Sequence, residues 1–231
     1  MTDRLRIPSA IAAVLLALAL VLGGQAMADA TAPDVPNGVL TGQAVGRAGF
    51  AYLTGLRKFG AALLWNRLEP QMHEYYGEGL GNLTFMLPSI KAVVTLDPQF
   101  VEGYYVAPGI LIESGKKAGV SKAEAASRLK AGLDLAKEGA VNNPKSGLLL
   151  TSYAQLLWVN GNDLRTALIY ADASLAPDII WRTDEEHWDQ FALMRGLFQK
   201  AGDTARAAQV QAVMDAIDAN PNSTKNPVET Q

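Results

Sequence analysis

The chain has two histidines, and their neighbours decide whether either does acid–base or metal chemistry. His73 follows Glu69 by four residues, a spacing that would put carboxylate and imidazole on one helix face, where they could share a metal ion. Pro70 lies between them and no third ligand is near in sequence, whereas a protein zinc site needs three or four donors. His187 lies in Thr183-Asp184-Glu185-Glu186-His187-Trp188-Asp189. A divalent ion held by Asp184 and His187 is conceivable, but Glu186 and Asp189 project too far round a helix to complete it. The simpler expectation is a helix start with Thr183 or Asp184 as cap and acids in the first turn, where the helix dipole favours them.

Other chemistry is excluded by spacing. Gly109 to Lys117 has one residue too many between its glycines for a phosphate loop and no hydroxyl after the lysine, so it is expected to be a helix end. Gly77, Gly79 and Gly81 follow no strand and lack the dinucleotide-binding spacing. There is no Gly-x-Ser-x-Gly elbow for a nucleophilic serine. The absence of cysteine removes disulfides, thiolate metal sites and thioether haem attachment. No catalytic residue, metal or cofactor is therefore assigned, and the chain is not expected to be an enzyme. A net charge of -3 argues against nucleic acid as partner, because phosphates reward a basic surface.

The elements that carry these residues begin with an address. Arg4 and Arg6 precede an apolar run from Ile11 to Leu22, then Gly23-Gly24-Gln25 and Ala26-Met27-Ala28. Basic, apolar and small-residue regions in that order form a secretory signal, with cleavage expected after Ala28. Residues 7 to 28 carry no charge, so a retained membrane anchor is the alternative. Either way the remainder is expected outside the cytoplasm, periplasmic or in the cell envelope, touching membrane only through residues 1–28. Residues 29–41, with Pro33, Pro36 and Gly38, are expected to be a flexible linker, and 223–231 a disordered tail.

Between them, residues 42–222 show helical periodicity and no two-residue alternation. Val45, Gly49, Tyr52, Leu56, Phe59 and Leu63 recur at steps of three and four, which predicts a long amphipathic helix that Pro70 should kink or interrupt. Seven further helices are predicted near 83–96, 99–114, 121–141, 146–160, 163–175, 185–201 and 203–219. Breakers separate them: Pro98, Pro144, Pro177 and Pro221 recur at intervals of 46, 33 and 44 residues, within the range of helix-pair repeats.

The stretch Gly196-Leu197-Phe198-Gln199-Lys200-Ala201-Gly202-Asp203-Thr204-Ala205-Arg206-Ala207-Ala208 resembles a tetratricopeptide repeat. Ala207 would allow close helix approach, Phe198 would fill the gap, and Gly202 would supply a left-handed turn. Ser146 to Pro177 is similar, with Tyr153-Ala154, Leu157, Asn162-Asp163 and Ala167, and Leu96-Asp97-Pro98 resembles a repeat junction. Pro108 and the long helix from Ser121 to Val141 depart from the family pattern. The resemblance implies an all-α, right-handed helix-pair solenoid of about three to four repeats.

It further implies a concave groove lined by the first helix of each pair, receiving a protein or peptide partner. In that register Glu102, Tyr105, Ile112, Thr151, Gln155 and Trp158 face the groove. The expected role is a scaffold or adaptor for envelope complexes. Two alternatives stand: a membrane-anchored structural subunit, or a protein binding a small ligand or metal under Trp65, Tyr75, Tyr76 and Trp158.

Overall fold

Serine, threonine or aspartate precedes five of the helical stretches, and its side chain accepts from a backbone N–H three residues on. Ser121 accepts from Glu124 at 3.2 Å, Ser146 from Leu149 at 3.4 Å, Asp163 from Thr166, Thr183 from Glu186 and Asp203 from Arg206, each at 3.0 Å. Each cap satisfies one amide that a helix start leaves without an intrahelical partner, worth roughly 1 kcal/mol. In the computed structural model, which describes residues 55–78 and 83–224, the helices are α1 (Arg57–Glu78), α2 (Leu83–Leu96), α3 (Val101–Gly115), α4 (Lys122–Asn142), α5 (Gly147–Val159), α6 (Leu164–Ala173), α7 (Asp184–Lys200) and α8 (Thr204–Ala219). The described residues are all-helical, with no strand. Their one extended pairing is an isolated parallel bridge between Ser146 and Ile180.

Contacts divide the chain into residues 1–40, which lie outside the described residues, and 41–231. The expected address, the linker at 29–41 and the start of the long helix at Gly42 thus fall outside what is described. No described helix is long and apolar enough to cross a membrane.

Chain neighbours pack in pairs, α1 with α2, α3 with α4, α5 with α6 and α7 with α8. The α3/α4 crossing is antiparallel and close. A β-carbon on Gly132 would lie 2.6 Å from Ile112 and one on Gly139 2.6 Å from Tyr104, so glycines seven residues apart let the two backbones meet. Odd-numbered helices also touch the next odd-numbered helix. Thr151 meets Gln190, and Trp158 approaches Gly196, so α5 and α7 lie side by side in the same direction.

The core forms two apolar clusters. The first joins Ala61, Trp65 and Leu68 of α1 to Ile90, Val93 and Leu96 of α2 and to Tyr104, Ala107 and Leu111 of α3, and ends on Leu135 and Leu149. The second begins with the neighbouring faces of α4 and α5, Ala136, Ala140, Leu150 and Tyr153, and runs through α6 to Met214 of α8. Helices α4 and α5 thus bury one stripe toward each side.

One sequence expectation is corrected. Leu56 and Phe59 are exposed, not part of the buried stripe; Gly55 turns the chain at φ +73° just before α1, whose buried positions are Ala61, Trp65 and Leu68. Of the two outcomes expected at Pro70, a kink or an interruption, the second does not occur, since α1 runs on to Glu78. Ser223 is buried and the Thr224 hydroxyl accepts from the Asp184 N–H at 2.9 Å; the rest of the expected tail, 225–231, lies outside the described residues. Gly202 takes the left-handed conformation at φ +77°, and Phe198 and Ala207 are buried beside it. In the preceding pair the left-handed residue is Asn162, at φ +50°.

Candidate functional site

The buried faces of α3 and α5 determine which faces remain open. On α3, Tyr104, Pro108 and Ile112 are committed to α4, which turns Tyr105, Val106, Gly109 and Ile110 outward. On α5, the Gly147 end is fixed by the extended segment before α7: Gly147 N–H donates to Ile180 O at 3.1 Å, and Ile180 N–H donates to Lys145 O at 2.8 Å. A β-carbon at Gly147 would come within 2.5 Å of the Trp181 indole, so this glycine is the seat of that ring. Thr151 turns inward to Gln190. That rotation aims Ser152, Gln155 and Leu156 toward α3, and with its four outward residues they line a groove of about 450 Å³.

The six residues expected to face a groove therefore divide. Tyr105, 42% exposed, and Gln155 do line it together. Ile112 is buried against Gly132, and Thr151 is fully buried at the α5–α7 contact. Trp158 packs on the second apolar cluster, with Gly196 beneath its ring. Glu102 is exposed but occupied, since Arg182 donates to it at 2.9 Å and to Glu186 at 2.7 Å. Val106, Gly109, Ile110, Ser152 and Leu156 were not singled out from the sequence. Val106, Ser152 and Leu156 stand one residue from a position that was, about 100° of rotation on a helix, and Gly109 one turn beyond Tyr105; Ile110 lies one turn beyond Val106.

The groove is uncharged. The acids flanking it along α3 are both paired, Glu102 with Arg182 and Glu113 with Lys116 at 2.5 Å. Its polar groups are the Tyr105 phenol and the Gln155 amide; Ser152 lines it with its hydroxyl oxygen closed off from solvent. Ser152 is 9% exposed, and its Oγ has no hydrogen-bond partner.

Behind α3 a polar network fixes the helix from its other face. Tyr104 Oη donates to Glu138 at 3.2 Å and accepts from Asn142 Nδ2 at 3.0 Å, and Lys91 pairs with Glu138. Burial pushes the Tyr104 hydroxyl up to about 12, with the Glu138 charge adding to it against the Asn142 hydrogen bond. Asn143 Nδ2 donates to Pro98 O at 3.2 Å, tying the end of α4 to the turn before α3.

His187 stacks on Trp181, with ring centroids 4.3 Å apart and planes 10° from parallel, and meets the Phe191 edge at 4.4 Å. Burial lowers its pKa against the opposing charges of Asp184 and Glu186. Thr183 caps α7, so its acidic first turn does what the sequence predicts. Among the described residues no three His, Asp or Glu side chains gather closely enough to hold a metal ion; the His73 side chain lies outside them. Trp65 belongs to the first apolar cluster and Trp158 packs on the second, while the Tyr75 and Tyr76 side chains lie outside the described residues. A second hollow of about 440 Å³ at Asp172, Ala176 and Arg206 presents no unpaired charge, because Arg206 is held by Asp172 and Asp203.

Compared with protein-family models, curated proteins and solved structures, the chain matches none.

Proposed function

We propose that the chain is an exported scaffold of stacked helix pairs, similar to tetratricopeptide repeats, that holds a protein partner in the cell envelope. One observation carries the reading: between α3 and α5, the first helices of adjacent pairs, lies a groove whose lining is apolar or neutral and which no part of the described chain fills. Groups left exposed in this way are more useful for recognition than for stability. An aromatic ring with a polar tip, such as Tyr105, gives much contact area per ordered side chain. Export rests on Arg4, Arg6, the apolar run and Ala26-Met27-Ala28.

The test is photo-crosslinking in intact cells from a benzophenone side chain at Leu156, with Ile169 on α6 as control. The expected result is a discrete protein adduct, recovered from the envelope fraction, that forms from position 156 and not from 169. Equal labelling from both positions, or none from 156, overturns the reading. The anchored-subunit alternative is favoured by the uncharged stretch from Ile7 to Ala28 and is decided by N-terminal sequencing. A start at Asp29 means cleavage; an intact start means an anchor.

A further inference from the structure

The head of α1 is exposed along its whole first turn. Gly55, left-handed at φ +73°, is followed by Leu56, Arg57, Lys58 and Phe59, and all five are exposed. The Gly60 N–H donates to Leu56 O at 2.8 Å, so the turn is formed and holds these side chains outward. We infer that this face of α1 rests on an anionic phospholipid surface, with Leu56 and Phe59 among the headgroups and Lys58 and Arg67 over the phosphates. The inference goes beyond the groove reading, does not depend on it, and extends membrane contact past residues 1–28.

The apolar side chains are the first support. Leu56 is 48% and Phe59 53% exposed, and among the described residues they are the one pair of exposed large apolar side chains that stand three residues apart. Such a spacing puts both on one side of a helix. Ala61, Trp65 and Leu68 commit the other side of α1 to the core. Ala61 is two residues, about 200°, from Phe59, so Phe59 cannot turn inward without turning the core face out.

Charge is the second. From Val35 to Leu68 the sequence carries four bases, Arg47, Arg57, Lys58 and Arg67, and none of the chain's 23 acids, its longest stretch without one. Arg57 and Lys58 occupy the first turn of α1, where the helix dipole disfavours cations; α7 carries Asp184, Glu185 and Glu186 there instead. Local stability therefore does not account for these bases. Arg57 is partly engaged, since its Nε donates to Leu96 O at 3.3 Å. Lys58 and Arg67 are both exposed and stand roughly a quarter-turn to either side of Phe59. An apolar stripe flanked by bases is the arrangement of a helix that lies in a membrane interface, attracted by anionic lipid.

Place in the chain is the third. Of the described helices, α1 is nearest in sequence to the apolar run from Ile11 to Leu22 that addresses the chain to a membrane. Two apolar side chains and a few bases give weak, reversible attachment, and a second weak signal is what a singly attached protein needs to stay on a bilayer.

The chain has no cysteine, so Leu56→Cys accepts one environment-sensitive nitrobenzoxadiazole label, and Ile169→Cys on α6 serves as control. The labelled full chain is mixed with vesicles of phosphatidylcholine alone or of equal parts phosphatidylcholine and phosphatidylglycerol. A chain that keeps residues 1–28 is reconstituted into the same vesicles and compared in the same way. Emission from position 56, and not from 169, is expected to brighten and shift to the blue on the anionic vesicles, and to revert as salt screens the bases. Lys58→Gln should weaken the response about fivefold, the effect of one base near an anionic surface. Phe59→Ser should weaken it roughly tenfold through lost apolar burial. Melting temperatures should stay unchanged in both variants, because both side chains are exposed. Equal response to the two vesicle types, no response at 56, or indifference to both variants overturns the inference. A label at 56 that is already in an apolar setting before vesicles are added overturns it too, since protein then covers this face. Crosslinking from position 156 reports on the groove alone, so either reading can fail without the other.

Discussion

Gly139 of α4 lies so near Tyr104 of α3 that a β-carbon there would sit 2.6 Å from Tyr104 Cβ and 2.7 Å from its Cγ. Two effects oppose each other in Gly139→Ala. Alanine in a helix interior is favoured over glycine by about 0.5–1 kcal/mol, whereas overpacking a filled contact costs roughly 1–3 kcal/mol. Tyr104 is 1% exposed and hydrogen-bonded at its far end, so it has no room to yield. Overpacking should win, with a net loss on the order of 1 kcal/mol in urea unfolding. Gly109 is the contrast: nothing lies within 4 Å of its would-be β-carbon, and Gly109→Ala should stabilise by about 0.5–1 kcal/mol. The same sign for both variants would show that the α3/α4 contact does not depend on a missing side chain.

That contact also shows where sequence reasoning reaches and where it stops. Helix ends after residue 82 were legible to within two residues, because caps and breakers act locally: Ser121, Ser146, Thr183 and Asp203 announce themselves whatever packs above them. The rotation of each helix was not legible, because the partner decides it. Thr151 and Gln155 both fit an outward stripe on spacing alone, and only the Gln190 carbonyl opposite and the Trp181 ring on Gly147 turn Thr151 inward and Ser152 toward α3. Tyr105 and Gln155 fall on the groove because the assumed register was near; Ile112 misses it because Gly132 lets α4 in too closely. The Ser152 hydroxyl carried no sequence signal, since serine in an apolar helix is ordinarily bonded to its own backbone.

Alkali should weaken the fold through two tyrosines. Burial raises the Tyr104 and Tyr153 hydroxyls from their ordinary value near 10 to about 12. A raised value in the folded state means that the stability is fully present below pH 10 and is lost as pH climbs toward 12. Each tyrosine should contribute at most about 2–3 kcal/mol to that loss. Unfolding free energy measured from pH 9 to 12 should therefore drop steeply, and Tyr153→Phe should flatten the drop. An unchanged slope in that variant would mean that Tyr153 ionises as freely in the folded chain as in the unfolded one.

Acid should act at His187 with the opposite sense. Its imidazole stacks on Trp181, and burial holds its pKa below the usual 6.5. A depressed value means that the folded state resists protonation, so this contribution is complete above pH 6.5 and declines as pH falls through the folded-state midpoint. The imidazole NMR signal of His187 should titrate below that of a histidine in the urea-unfolded chain. Trp181 fluorescence should change over the same pH interval. A midpoint at or above 6.5 would show that Asp184 and Glu186 outweigh burial.

The buried bond between Thr151 and Gln190 is the most direct measure of how firmly α5 is joined to α7. Thr151 Oγ1 lies 2.9 Å from Gln190 Oε1 and 2.8 Å from Gly147 O, and a hydroxyl has one proton for the two acceptors. Turning the Gln190 amide end for end would place Nε2 toward Thr151 and satisfy both contacts, so the bond survives either assignment. Thr151→Val keeps the shape and removes the hydroxyl, stranding a buried amide group at a cost of about 1–3 kcal/mol. Gln190→Leu strands the hydroxyl less severely, because Thr151 still returns its proton to Gly147 O. The double variant has no stranded partner and should be more stable than the sum of the two losses implies, by roughly 0.5–3 kcal/mol in urea unfolding. Strict additivity would mean that the two side chains are neighbours without coupling, and that α5 and α7 are held together by the apolar contacts around Phe191 and Met194 alone.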